Sequence, residues 1–176
     1  MDEANDLSHF SATGRARMVD VSAKAESHRA ASASGVLRMQ PATLERIRAG
    51  TLAKGNVLAV ADVAAVMAAK HTPDLIPMCH PLQLSGVEVD FGEDLAPDAA
   101  GCVGVSVRTT ARCVGSTGVE MEALCAAAGA LLTLYDMCKA VDRGMRIENL
   151  QLEEKSGGKS GLWRRGETVR EGEGAP

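Results

Sequence analysis

Aromatic side chains are nearly absent from this 176-residue chain: one Trp, one Tyr and two Phe. A core without large rings must be packed by Ala, Val, Leu and Met. That brings backbones close together and leaves apolar surface suited to a partner subunit. No sign of charge is in large excess. The net charge of −4 at pH 7 argues against holding duplex nucleic acid through a global field, and an anionic small ligand needs a local cluster of Lys, Arg and His. The cysteines, Cys79, Cys102, Cys113, Cys125 and Cys138, are odd in number and form no C-x-x-C pair. Neither a disulfide framework nor a zinc-finger spacing is present, and reduced thiols in a cytoplasmic protein are the simplest expectation. The longest uncharged run, Ala123 to Tyr135, has 13 residues, short of the ~20 that a membrane span needs. The acidic start, "MDEANDLSHF", lacks the basic and then apolar order of a signal peptide.

What is present reads as one domain over residues 16–160. Residues 1–15 and 161–176, polar and Gly-rich, are expected to be flexible. "RMVDVSAK" suggests a short strand, and "SHRAASASGVLRM" (27–39) a second. "PATLERIRAG" (41–50) reads as a helix opened by Pro41 and closed by Gly50. "NVLAVADVAAVMAAKH" (56–71) reads as a longer one, capped by Asn56 and stopped by Pro73. "LSGVEVDFGED" and "GCVGVSVRTT" alternate as two half-buried strands of a hairpin. The main helix is expected from Gly118 to Arg143, with Gly144 ending it. A last strand follows over 145–154, with Met145 and Ile147 inward and a slip in period before Leu150. The order β-β-α-α-β-β-α-β implies an α+β fold, an antiparallel sheet with helices packed on one face. The β-α-β-β-α-β core of ferredoxin-like folds lies within it.

Three stretches carry chemistry. In "LLTLYDMCKAVD", Asp136 and Lys139 stand three apart at the end of a nearly uncharged helix, so they can touch. They are either a surface ion pair of little energetic weight or a partly desolvated pair with shifted proton affinities. In "IPMCHPLQLSG", two prolines stiffen the backbone around Met78, Cys79 and His80. That loop is either structural or presents His80 to a ligand; adjacent Cys79 and His80 point apart, which excludes a local nucleophile–base pair. "EEKSGGKSG" ends like a phosphate loop, but Glu153 stands where its first glycine belongs and no helix follows. Its glycines with Lys155 and Lys159 still suit an anion, as does Lys54 before a capped helix start.

Taken together and in this order, "MVDVSAKAESHRAA", "KGNVLAVADVAAVMAAK", "DLIPMCHPLQLSGVEV", "TGVEMEALCAAAGALLTLYDMCKAV" and "KSGGKSG" resemble the cyclic pyranopterin monophosphate synthase family of molybdenum cofactor biosynthesis. The likeness spans roughly residues 8 to 161. It implies a ferredoxin-like subunit of a homohexamer, a trimer of dimers, with active sites at the dimer interface. It also implies a lyase that converts (8S)-3′,8-cyclo-7,8-dihydroguanosine 5′-triphosphate to cyclic pyranopterin monophosphate and pyrophosphate. By motif, Asp136 is the implied acid/base and Lys139 its partner. Met78, Cys79, His80, Glu120, Met121, Glu122, Lys54, Lys155 and Lys159 are the implied substrate-binding positions. Such chemistry needs proton donors and acceptors and positive charge on a triphosphate. It calls for no metal and no resident cofactor, no nucleic acid and no membrane.

Overall fold

The computed structural model describes residues 18–167. The chain runs β1 (Ser27–Met39), α1 (Pro41–Arg48), α2 (Val57–Lys70), α3 (Thr72–Leu75), β2 (Leu84–Asp94), β3 (Val103–Gly115), α4 (Glu120–Cys138), β4 (Arg146–Ser156) and β5 (Trp163–Arg164). The strands form one sheet in the order β2-β3-β1-β4-β5, every pair antiparallel. The first four strands with α2 and α4 make the split β-α-β arrangement of an α+β, ferredoxin-like fold.

Alternation decides the faces. Ala31, Ala33, Leu37 and Met39 of β1 and Val103, Val105, Val107, Ala111 and Cys113 of β3 are buried, which puts them under the helices. Most residues between them are polar, and there Ser32 and Thr110 hydroxyls meet at 2.8 Å. Asn56 caps α2 by accepting from the Ala59 amide at 3.1 Å. α2 and α4 then pack closely because both are rich in Ala: a Cβ added at Gly129 would come 2.6 Å from the Ala68 Cβ. By length and composition α4 resembles a membrane span, but half of it is buried within the domain.

Several sequence expectations need correction. "RMVDVSAK" forms no strand. Both edges of β1 are already taken by β3 and β4, and the Asp20 carboxylate accepts from the Ser22 amide and hydroxyl, closing a turn instead. α4 stops at Cys138, short of Gly144. The chain turns there to bury Asp142, which accepts from the Gln40 amide and the Thr43 hydroxyl at the start of α1. Ile147 is exposed rather than inward. The slip in period is real: the β1–β4 register shifts there, and Asn149 takes a φ of 54°. Trp163–Arg164 adds a short strand on β4, within the segment expected to be a tail. Residues 1–15 and 168–176 lie outside the described residues.

Candidate active site

The N-terminal end of α4 gathers most of the expected positions. Met78, Cys79, His80, Glu120, Met121 and Glu122 line one cleft of about 580 Å³. The Pro-bounded loop after α3 supplies the first three and the opening turn of α4 the others. His80 Nε2 lies 2.8 Å from the Val19 carbonyl. A carbonyl only accepts, so this nitrogen carries the proton, and Nδ1 is left as an acceptor when the ring is neutral. Glu122 is buried, 3% exposed, and among the described residues it pairs with no cation. Burial chiefly, and then Glu120, raises its proton affinity. Burial and the nearby Glu122 likewise push the Cys79 thiol up, which disfavours its thiolate form.

A second cleft shares Lys24, Thr117 and Gly118 with the first and continues to Gly158, Lys159 and Ser160. The Gly157–Gly158 turn takes φ values of 94° and 70°, open to glycine at low cost. A Cβ at Gly157 would strike the His28 carbonyl oxygen. The turn lies against Arg29, whose guanidinium donates to the Gly115 and Ser116 carbonyls at 2.9 and 3.1 Å. Lys155 closes the corner: its ammonium lies 3.4 Å from Glu120 and donates to the Ser160 hydroxyl at 2.7 Å. The sequence reading gave no role to Lys24 or Arg29. Both sit inside the quoted "MVDVSAKAESHRAA", and the signal was two cations in a stretch otherwise free of them.

Asp136 and Lys139 are elsewhere, at the C-terminal end of α4. The Lys139 ammonium is 2.6 Å from one carboxylate oxygen of Asp136. Lys54, reaching from the loop between α1 and α2, is 2.8 Å from the other and donates to the Asp136 main-chain carbonyl at 2.9 Å. The pair is not desolvated in the single chain, as the sequence allowed: the Asp136 side chain is 54% exposed. Met137 and Cys138 are its neighbours in sequence but face other sides of the helix. Lys139 first, and then Lys54, lower the Asp136 pKa to about 2. The carboxylate in turn raises that of Lys139.

Glu120 and Asp136 are 16 residues apart in one helix, about 24 Å along its axis at roughly 1.5 Å per residue. Within one chain, the cleft and the Asp136 cluster therefore face opposite ends of the helix.

The sequence model of the MoaC family matches residues 18–158. The chain belongs to the MoaC family. This MoaC-family chain is 53% identical over 169 residues to a cyclic pyranopterin monophosphate synthase of Desulforamulus reducens, covering 96% of each. It is 54% identical over 163 residues to the synthase of Novosphingobium aromaticivorans, covering 93% of this chain and 99% of that one. To the synthase of Listeria monocytogenes it is 51% identical over 162 residues, 92% and 98% of the two chains.

Proposed function

We propose that this MoaC-family chain is a cyclic pyranopterin monophosphate synthase, a lyase of molybdenum cofactor biosynthesis that acts on a cyclised dihydroguanosine triphosphate and releases pyrophosphate. The observation that carries the reading is end-to-end likeness, above half identity, to proteins bearing that name.

The geometry supports a division of labour. The cleft of Met78, Cys79, His80 and the α4 glutamates suits the guanine-derived ring: it offers a hydrogen-bond acceptor at His80 and a carboxyl at Glu122 that favours its protonated form. The adjoining cleft, with Lys24, Arg29, Lys159 and the open-φ Gly157–Gly158 turn, suits the phosphates. Lys155 ties this loop to Glu120 and so positions both clefts. Asp136 and Lys139 then move protons while the ring is rebuilt, and Lys54 adds charge for the leaving pyrophosphate.

A site made of these parts needs two chains, because one helix keeps them about 24 Å apart. An antiparallel pairing about a two-fold axis sets the Asp136 end of one α4 beside the Glu120 end of its mate. Apolar surface supports such contacts: Val60, Val63 and Met67 on α2, Leu132 on α4, and Ile147 and Leu150 on β4 are all exposed. Homohexameric assembly as a trimer of dimers, and a cytoplasmic location in keeping with five free thiols, belong to the same reading.

Replacing Asp136 with Asn should leave the fold and assembly intact and lower turnover at least ~1000-fold, the scale of losing an acid/base with its electrostatic partner. Pyrophosphate release from the purified substrate measures it. Near-normal release by that variant removes Asp136 from the mechanism.

A further inference from the structure

Asp136 presents a contradiction when it is assigned as a proton carrier. Both of its carboxylate oxygens are capped by ammonium groups, Lys139 on one and Lys54 on the other. A carboxylate so held is a poor base, because two ammonium groups, one on each oxygen, stabilise its ionised form. Among the described residues of one chain, the titratable groups facing it are Lys139 on its own helix and Lys54 from the α1–α2 loop; in the two-chain arrangement proposed above, the Glu120 end of the mate's α4 also approaches it.

The two caps differ in how they are held. Lys139 is three residues on in the same helix and sits at its C-cap. The backbone fixes that pair, and its ammonium has no second anchor among the described residues. Lys54 crosses from a separate loop, 82 residues away in sequence. The turn that carries it is anchored by the buried Leu52 and closed by the Gly55 amide donating to the Leu52 carbonyl at 3.0 Å. The Lys54 side chain beyond that turn is 44% exposed. Its four-carbon stem can swing without moving the backbone. It also rests on the Asp136 carbonyl at the negative end of α4. A triphosphate offers it a stronger partner than one carboxylate and one carbonyl.

We propose that Lys54 is a transferable cation: it caps Asp136 in the empty enzyme and moves to the substrate's phosphates on binding, which frees one carboxylate oxygen to take a proton. This rests on the lyase reading of the site. The proton comes from an N–H or O–H of the bound substrate and goes to the Asp136 Oδ2 that Lys54 vacates. The substrate thereby activates its own base, and the empty enzyme carries a quiescent one. Lys54 also acquires two successive partners, so its loss harms catalysis twice: phosphate binding weakens and the switch disappears.

The test is carbon-13 NMR of the full chain with labelled Asp carboxyls. The Asp136 resonance is assigned by its disappearance in Asp136→Asn, and it is titrated with and without inorganic pyrophosphate. In the wild type, pyrophosphate should raise the proton affinity of Asp136 at least tenfold. In Lys54→Met the affinity should already be higher without pyrophosphate and should not respond to it. An Asp136 titration unmoved by saturating pyrophosphate overturns the proposal, as does a Lys54→Met protein that keeps the wild-type titration. Failure of pyrophosphate to bind overturns it too, since that removes the anion Lys54 is said to leave for. Turnover by a wild type whose Asp136 does not respond rejects the switch alone and leaves the lyase reading standing.

Discussion

Glu122 shows how one residue trades stability for chemistry. Its carboxyl is buried and pairs with no cation among the described residues, so its folded proton affinity lies above the ordinary 4.5. The folded protein therefore binds this proton more tightly than the unfolded chain. Stability contributed here is present at acid pH and falls as pH rises from about 4.5 through the raised folded value. Glu122→Gln keeps the shape and removes the charge. Thermal unfolding should show the variant level with the wild type near pH 4 and more stable near pH 7, with activity reduced. An unchanged difference between the two pH values would mean that the carboxyl is not desolvated. At this scale the sequence was a partial guide. Motifs picked out Met78, Cys79, His80, Glu120, Met121 and Glu122, which line one cleft, but the Lys54–Asp136 contact could not be read, because it joins positions 82 apart. The exposure of Asp136 was also hidden: apolar neighbours in sequence do not share its helix face.

Elements were legible wherever a local pattern ran unbroken. β1 and β2 occupy the stretches that their alternation marked, and α2 starts at its Asn56 cap. Pattern failed where tertiary partners decided. Val19 and Val21 look strand-like, but the Asp20–Ser22 turn interrupts them and the following β1 is already paired on both sides. The end of α4 is set by Asp142, whose partners at Gln40 and Thr43 are a hundred residues away. α4 itself depends on closeness to α2 at Gly129. Gly129→Ala gains helix propensity but puts a methyl against Ala68 Cβ and the Ala64 carbonyl. Overpacking should dominate and cost about 1–3 kcal/mol, read as a lower denaturant midpoint at unchanged slope. A stabilised variant would show that the two helices have room to separate.

For the whole molecule, the scarcity of aromatics and the length of α4 bear on the same point. Small side chains let helices pack closely but leave Val63, Leu132 and Leu150 uncovered in one chain. The straight 19-residue α4 carries the two halves of the candidate site at opposite ends. The two-chain site proposed above requires one chain's Asp136 to meet another's His80 and Glu120. The decisive measurement mixes two inactive variants, Asp136→Asn and His80→Ala, after dissociation and reassembly, and follows pyrophosphate release. If the site is shared, random pairing makes half the dimers mixed, each with one intact site, so activity should return to about a quarter of wild type. A mixture as inactive as its parents would contradict the account, because it would mean that each chain holds its own complete site.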